Sequence, residues 1–108
     1  MRATLEKLLA GGRDDALLRF SLGNACLGEQ DAGAAAEHLR RAVEHDPAYS
    51  AAWKLLGKAL AEQGDRAGAA AAWGRGIEAA TARGDVQAAK EMRVFMKRLQ
   101  KDQGSGDQ

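Results

Sequence analysis

The feature that most constrains this chain is a period. Residues 50–62 read Ser-Ala-Ala-Trp-Lys-Leu-Leu-Gly-Lys-Ala-Leu-Ala-Glu, and 34 positions earlier residues 16–28 read Ala-Leu-Leu-Arg-Phe-Ser-Leu-Gly-Asn-Ala-Cys-Leu-Gly. Leu22-Gly23 falls on Leu56-Gly57, Ala25 on Ala59, Asp31 on Asp65, Ala35 on Ala69, Leu39 on Trp73 and Ala42 on Gly76, with no gap. A fixed period of this size, carried by apolar and small residues, marks a helical repeat whose units bury their apolar faces on one another. The spacing of apolar residues predicts an all-α chain with helices over 3–10, 14–28, 32–45, 50–62, 66–82 and 86–101.

The residues that repeat resemble a known pattern. Trp53, Leu56, Gly57, Leu60, Ala69 and Trp73 resemble the tetratricopeptide repeat: an aromatic, Leu-Gly, a large residue, then Ala and a second aromatic. The first copy carries Leu22, Gly23, Cys26, Ala35, Leu39, Ala42 and a closing Pro47, with Arg19 where the tryptophan usually stands. The second copy has Thr81 in place of the proline. The resemblance covers residues 16–83. It implies a helix-turn-helix solenoid of two repeats, about 16–49 and 50–83, whose usual work is holding other proteins.

Local signals agree with that register. Leu5, Leu8 and Leu9 lie on one face of a short N-terminal helix that Gly11-Gly12 ends, and a helix this short needs a surface to lie on. Asp14 or Asp15, then Asp31, Asp65 and Asp85, stand where helix caps belong. Leu18, Leu22 and Cys26 form one stripe, and Ala35, Leu39, Ala42 and Val43 another. Trp53 and Trp73 are expected to be largely buried, and Gly57 to sit where the two helices of its repeat touch. Arg83-Gly84-Asp85 looks like an adhesion tripeptide, but a glycine stop followed by a cap explains every residue of it. Ala88, Met92, Phe95, Met96 and Leu99 form the inner stripe of a capping helix, with Lys90, Arg93, Lys97 and Lys101 on another face. One domain over 1–101 and a disordered polar tail over 102–108 complete the expectation.

Composition excludes more than it selects. The 108 residues carry 16 basic and 15 acidic side chains, a net charge of +1 that draws the chain neither to nucleic acid nor to acidic membrane. No apolar run is long enough to span a bilayer, and the N-terminus does not look like a signal peptide. The single Cys26 cannot form an internal disulfide, and the cytoplasm is the expected setting. It reads as a small buried hydrophobe, with no base near enough in pattern to activate it. His38 and His45 lie seven apart without further ligands, so no metal is expected and both are read as solvated. No phosphate loop, nucleophile elbow or carboxylate pair outside a cap suggests an enzyme, and no cofactor is implied.

In the resembling family the first helix of each repeat faces a concave surface. The positions that usually point into it correspond here to Phe20 and Asn24 in the first repeat and Lys54 and Lys58 in the second, flanked by Leu17, Leu27, Ala51 and Glu62. In members that bind chaperone tails, an asparagine and several basic residues clamp a terminal carboxylate. Asn24 agrees with such a position, whereas Phe20 and Leu55 replace clamp residues and a full third repeat is missing. The resemblance thus implies a protein or peptide partner bearing acidic groups. The alternative for Lys54 and Lys58 is a solvated face with an i,i+4 repulsion. The alternative for the whole chain, as monomer or weak homodimer, is a small subunit that self-associates or docks through an uncovered solenoid end.

Overall fold

The computed structural model describes the backbone of residues 1–106 and the side chains of residues 1–101. Six helices follow one another: α1 (Arg2–Ala10), α2 (Ala16–Gly28), α3 (Ala32–His45), α4 (Ser50–Glu62), α5 (Arg66–Ala82) and α6 (Val86–Gly106). There is no strand among the described residues. Four helices start with one device. The carboxylates of Asp15, Asp31, Asp65 and Asp85 accept hydrogen bonds from the N–H groups of Leu18, Ala34, Gly68 and Ala88, at 2.8, 3.2, 2.9 and 3.1 Å. Each removes a donor that the helix itself cannot satisfy. Gly64 and Gly84 close α4 and α5 at φ of 83° and 75°, while the first repeat places Gln30 in that conformation at φ 62°. Asp46, held extended before Pro47, ends α3; α5 meets no proline and runs to 17 residues against 14.

Consecutive helices pair in order along the chain. Across the stack α2 touches α4 and α4 touches α6, whereas α3 and α5 do not touch among the described residues. The α2–α4–α6 layer is therefore the closer one. The stack curves around it, and its open face is the inner face of an elongated body of 50 × 30 × 18 Å.

The repeated glycines mark the tightest contacts. A side chain at Gly23 would overlap Leu39, and one at Gly57 would overlap the indole of Trp73. At Gly57 the absent side chain also lets the Trp73 Nε1–H reach the carbonyl of Lys54 at 3.0 Å. A third close approach, at Gly76, admits Met92 of α6 and the Cβ of Trp53. The core runs unbroken from Cys26 through Leu39, Leu56 and Trp73 to Met92. Leu18 and Leu22 are also buried, while α1 contributes no buried residue of its own.

Four expectations need correction. Helix α2 begins at Ala16, because Asp15 takes the cap and leaves Asp14 outside. Trp53 is only half-buried: its ring lies at the rim, with Nε1–H donating to the Pro47 carbonyl at 2.8 Å and the Arg75 guanidinium 4.9 Å above it. His38 is half-buried rather than solvated. Arg19 Nη1–H donates to its Nδ1 at 3.0 Å, and since guanidinium only donates, that nitrogen carries no proton. Finally, α6 does not stop at 101. Nothing in Asp102-Gln103 breaks a helix, and it continues to Gly106, with residues 107–108 outside the described part of the chain.

Candidate protein-binding groove

The inner face divides into a filled half and an open half. In the filled half, Phe20 from the second turn of α2 stacks on Tyr49, which immediately precedes α4, with centroids 4.9 Å apart. Burial, and after it Asp46, push the Tyr49 hydroxyl above its ordinary pKa, so it stays protonated at neutral pH. Asn24 stands one turn beyond Phe20 and is exposed. Lys54 on α4 reaches Glu91 on α6, Nζ to Oε1 at 3.3 Å, and so bridges the two inner helices.

The open half is a cleft of about 490 Å³ between the C-terminal turns of α4 and the middle of α6. Ala61, Phe95, Leu99 and the edge of Trp73 supply apolar lining; Lys58, Glu62 and Arg98 stand around it. Phe95 and Trp73 meet at 5.4 Å with their rings tilted by 46°, which fixes the wall of the cleft. Arg66 Nη1–H donates to the Leu99 carbonyl at 3.3 Å and ties α6 to the start of α5 at the far end.

Of the four residues expected in the groove, Phe20 and Asn24 share α2 while Lys54 and Lys58 share α4. No hydrogen bond or ion pair joins the two pairs among the described residues. Lys58 lines the cleft, but Lys54 is engaged by Glu91. Counting Lys54, Lys58 and Arg98 against Glu62 and Glu91, the surplus of positive charge reduces to one. The residues that sequence reasoning missed are Tyr49, Glu91, Phe95, Arg98 and Leu99. A signal existed for Arg98 alone: an offset of 36, two longer than the repeat, lays Leu56 and Leu60 on Met92 and Met96, and Glu62, a flank of the expected groove, on Arg98.

The lone thiol contributes no chemistry here: Cys26 is fully buried, and burial raises its pKa. No group of three metal-ligating side chains occurs among the described residues. None of their helices is long and apolar enough to cross a membrane.

Helix pairs stacked at a fixed period, with a glycine of one helix receiving a bulky residue of the next, define a helical-repeat solenoid. The chain belongs to the tetratricopeptide repeat family, whose sequence model matches residues 2–47 and 20–85. It is 59% identical over 95 residues to the TPR repeat-containing protein PA0015 of Pseudomonas aeruginosa, covering 88% of this chain and 90% of that one. Among solved structures, protein BPP2914 of Bordetella parapertussis matches with a TM-score of 0.81 at 50% identity, covering 94% of this chain and 89% of the other. The Sgt2 TPR domain of Aspergillus fumigatus matches with a TM-score of 0.83 at 27% identity, over 99% and 70%. The MamA protein shares the fold, with a TM-score of 0.72 at 23% identity, over 93% and 57%. Repeats of this family mediate protein–protein interactions and are generally not enzymes.

Proposed function

We propose that this chain is an adaptor-type binding module that takes an extended or helical protein segment along the α2–α4–α6 face. The observation that carries the reading is the apolar cleft bounded by Lys58 and Arg98. Magnitudes set the order of the contributions. Burying one leucine-sized side chain in such a cleft is worth about 1.5–3 kcal/mol. An exposed ion pair is worth about 0–1 kcal/mol and weakens with salt. The anchor is therefore apolar, and acidic groups beside it meet Lys58 and Arg98 mainly to steer and orient. Lys54 takes part by exchanging Glu91 for a ligand carboxylate; the pair is a third to two-fifths exposed, so the exchange costs little. Phe20 and Tyr49 offer an aromatic plate at the other end, and Asn24 a hydrogen bond to the ligand backbone.

Selection of peptides from a random displayed library on the purified chain tests this. Selected peptides are expected to carry an apolar anchor with acidic neighbours. Ala61→Trp, which fills the cleft, should lower their affinity by roughly tenfold or more, and Lys58→Glu by a few-fold, with melting unchanged. Peptides that bind both variants as tightly as the parent would place the site elsewhere.

A further inference from the structure

The inner face carries two separate apolar stations, and α4 measures the distance between them. The first lies at the N-terminal end of α4, on its α2 side. There Leu17, 59% exposed, stands one turn before Phe20 on the same helix face, and Phe20 stacks on Tyr49. The second is the cleft at the C-terminal end of α4, on its α6 side, where Ala61, Phe95 and Leu99 supply the apolar lining. From Tyr49 to Ala61 is twelve residues, about 18 Å along the helix at about 1.5 Å per residue. Crossing α4 from one side to the other adds about 9 Å, so the stations lie roughly 20 Å apart. Between them the groove is polar. Lys54 and Lys58 share one face of α4, about 7.5 and 13.5 Å along from Tyr49, and Lys54 meets Glu91.

We infer that the inner groove selects an extended segment of a partner protein with the pattern apolar-x-acid-x-acid-x-apolar, its two apolar anchors six residues apart. This rests on the inner face being the binding surface. An extended chain advances about 3.3 Å per residue and returns its side chains to the same side every second residue. Six residues therefore span about 20 Å and bring the second anchor back toward the groove. The side chains two and four residues after the first anchor face the groove as well, about 6.6 and 13.2 Å along, level with Lys54 and Lys58. The first acid takes the place that Glu91 holds on Lys54, and the second meets Lys58. A helical segment fits less well. It needs about thirteen residues to span the same distance, and the apolar stripe that aligns its two anchors lays further apolar side chains over the Lys54–Glu91 pair. An extended segment also brings unpaired backbone N–H and C=O groups. Asn24, exposed on the helix face of Leu17 and Phe20, offers them both an acceptor and a donor.

The test titrates the full chain with an end-blocked synthetic peptide carrying leucine at its first and seventh positions, glutamate at its third and fifth, and serine elsewhere. Two further peptides of the same composition set the leucines five and seven residues apart. The odd spacings turn one leucine away from the groove, so the peptide with six should bind roughly tenfold tighter than either. Leu17→Ser, at an exposed side chain, should weaken its binding several-fold with melting unchanged. Glu91→Gln should tighten it a few-fold, and should leave unchanged the affinity for a peptide with glutamine in place of both glutamates. Four outcomes overturn the inference. If all three spacings bind equally while Ala61→Trp still weakens them, the groove takes a single anchor and only the spacing falls. If the six-spaced peptide fails to bind while library-selected peptides do, the groove stands without this motif. If difference circular dichroism shows helix gained on binding, the segment is not extended. If neither Ala61→Trp nor Leu17→Ser changes the binding, the inner face is not the site, and the groove function falls with the motif.

Discussion

The two repeats solve the same packing problem with different residues, and their contrast separates what the fold needs from what it tolerates. Where glycine meets the facing helix, both repeats keep glycine and only the bulk opposite changes, from Leu39 at Gly23 to Trp73 at Gly57. At the position three residues before Leu-Gly the chemistry differs altogether. Arg19 grips Asp14 at 2.8 and 2.9 Å and donates to His38. Trp53 instead caps a backbone carbonyl and lies under Arg75. That position lies at the rim, so any side chain serves whose stem covers apolar surface and whose tip finds a partner. The glycine position lies at a contact with no spare volume, so only side-chain absence serves.

The largest effect that would sharpen this contrast is truncation of the two bulky residues. Trp73→Ala should cost about 3–5 kcal/mol through transfer and cavity terms, and it also releases the Lys54 carbonyl. Leu39→Ala, fully buried but smaller, should fall lower, at about 2–4 kcal/mol. Urea unfolding of both variants measures the difference. Equal costs would mean that Trp73 is no better packed than its counterpart. A smaller effect comes from adding a methyl group. Gly57→Ala should destabilise by about 1–2 kcal/mol, because the indole is held by its hydrogen bond and by Phe95, and overpacking outweighs the helix propensity gained. Gly23→Ala should destabilise less, by about 1 kcal/mol, since Leu39 carries no hydrogen bond to hold it and can yield slightly within the packed contact. The comparison breaks if the order of the two is reversed.

The smallest effect concerns the rim of the first repeat and depends on pH. Burial, followed by the charge of Arg19, holds the His38 pKa below its ordinary 6.5. As pH falls through that ordinary value the unfolded chain takes up a proton that the folded one refuses, so stability drops from there downward. Asp14 has the same sign in a lower window. Hydrogen bonds from Arg19 and then His45 hold its carboxyl well below the ordinary 3.8, so its contribution is present above that value and lost only in strong acid. Urea midpoints of the parent should therefore decline between about pH 7.5 and about pH 5.5, and His38→Gln should flatten that decline. The same slope in parent and variant would show that His38 titrates as freely as in the unfolded chain.

The bounds of α3, α4 and α5, the caps at Asp31, Asp65 and Asp85 and the glycine contacts were legible because each depends on residues close in sequence or one period apart. The inner face was legible only in part. Lys58 lines the cleft as its repeat position suggests. The engagement of Lys54 by Glu91 was not legible, because it depends on how α6 is rotated against α4, 37 residues away, and the greater length of α5 shifts the shared register. The exposure of Trp53 escaped for a related reason. Hydropathy favours burying a tryptophan, yet the Arg75 guanidinium lies over its ring, and its polar N–H finds a carbonyl at the surface.

The pairing of each helix with its chain neighbours has a consequence for how the protein assembles. Nearly every contact is made between segments adjacent in sequence, so little loop-closure entropy is spent before contacts form, and folding should be fast. A nucleus formed by any two consecutive helices can grow in either direction. Disassembly is then graded rather than uniform: α1, which buries no residue of its own and is held through Arg2 to Glu29 and Asp31, detaches at the least free energy, ahead of the α4–α5 pair at the centre.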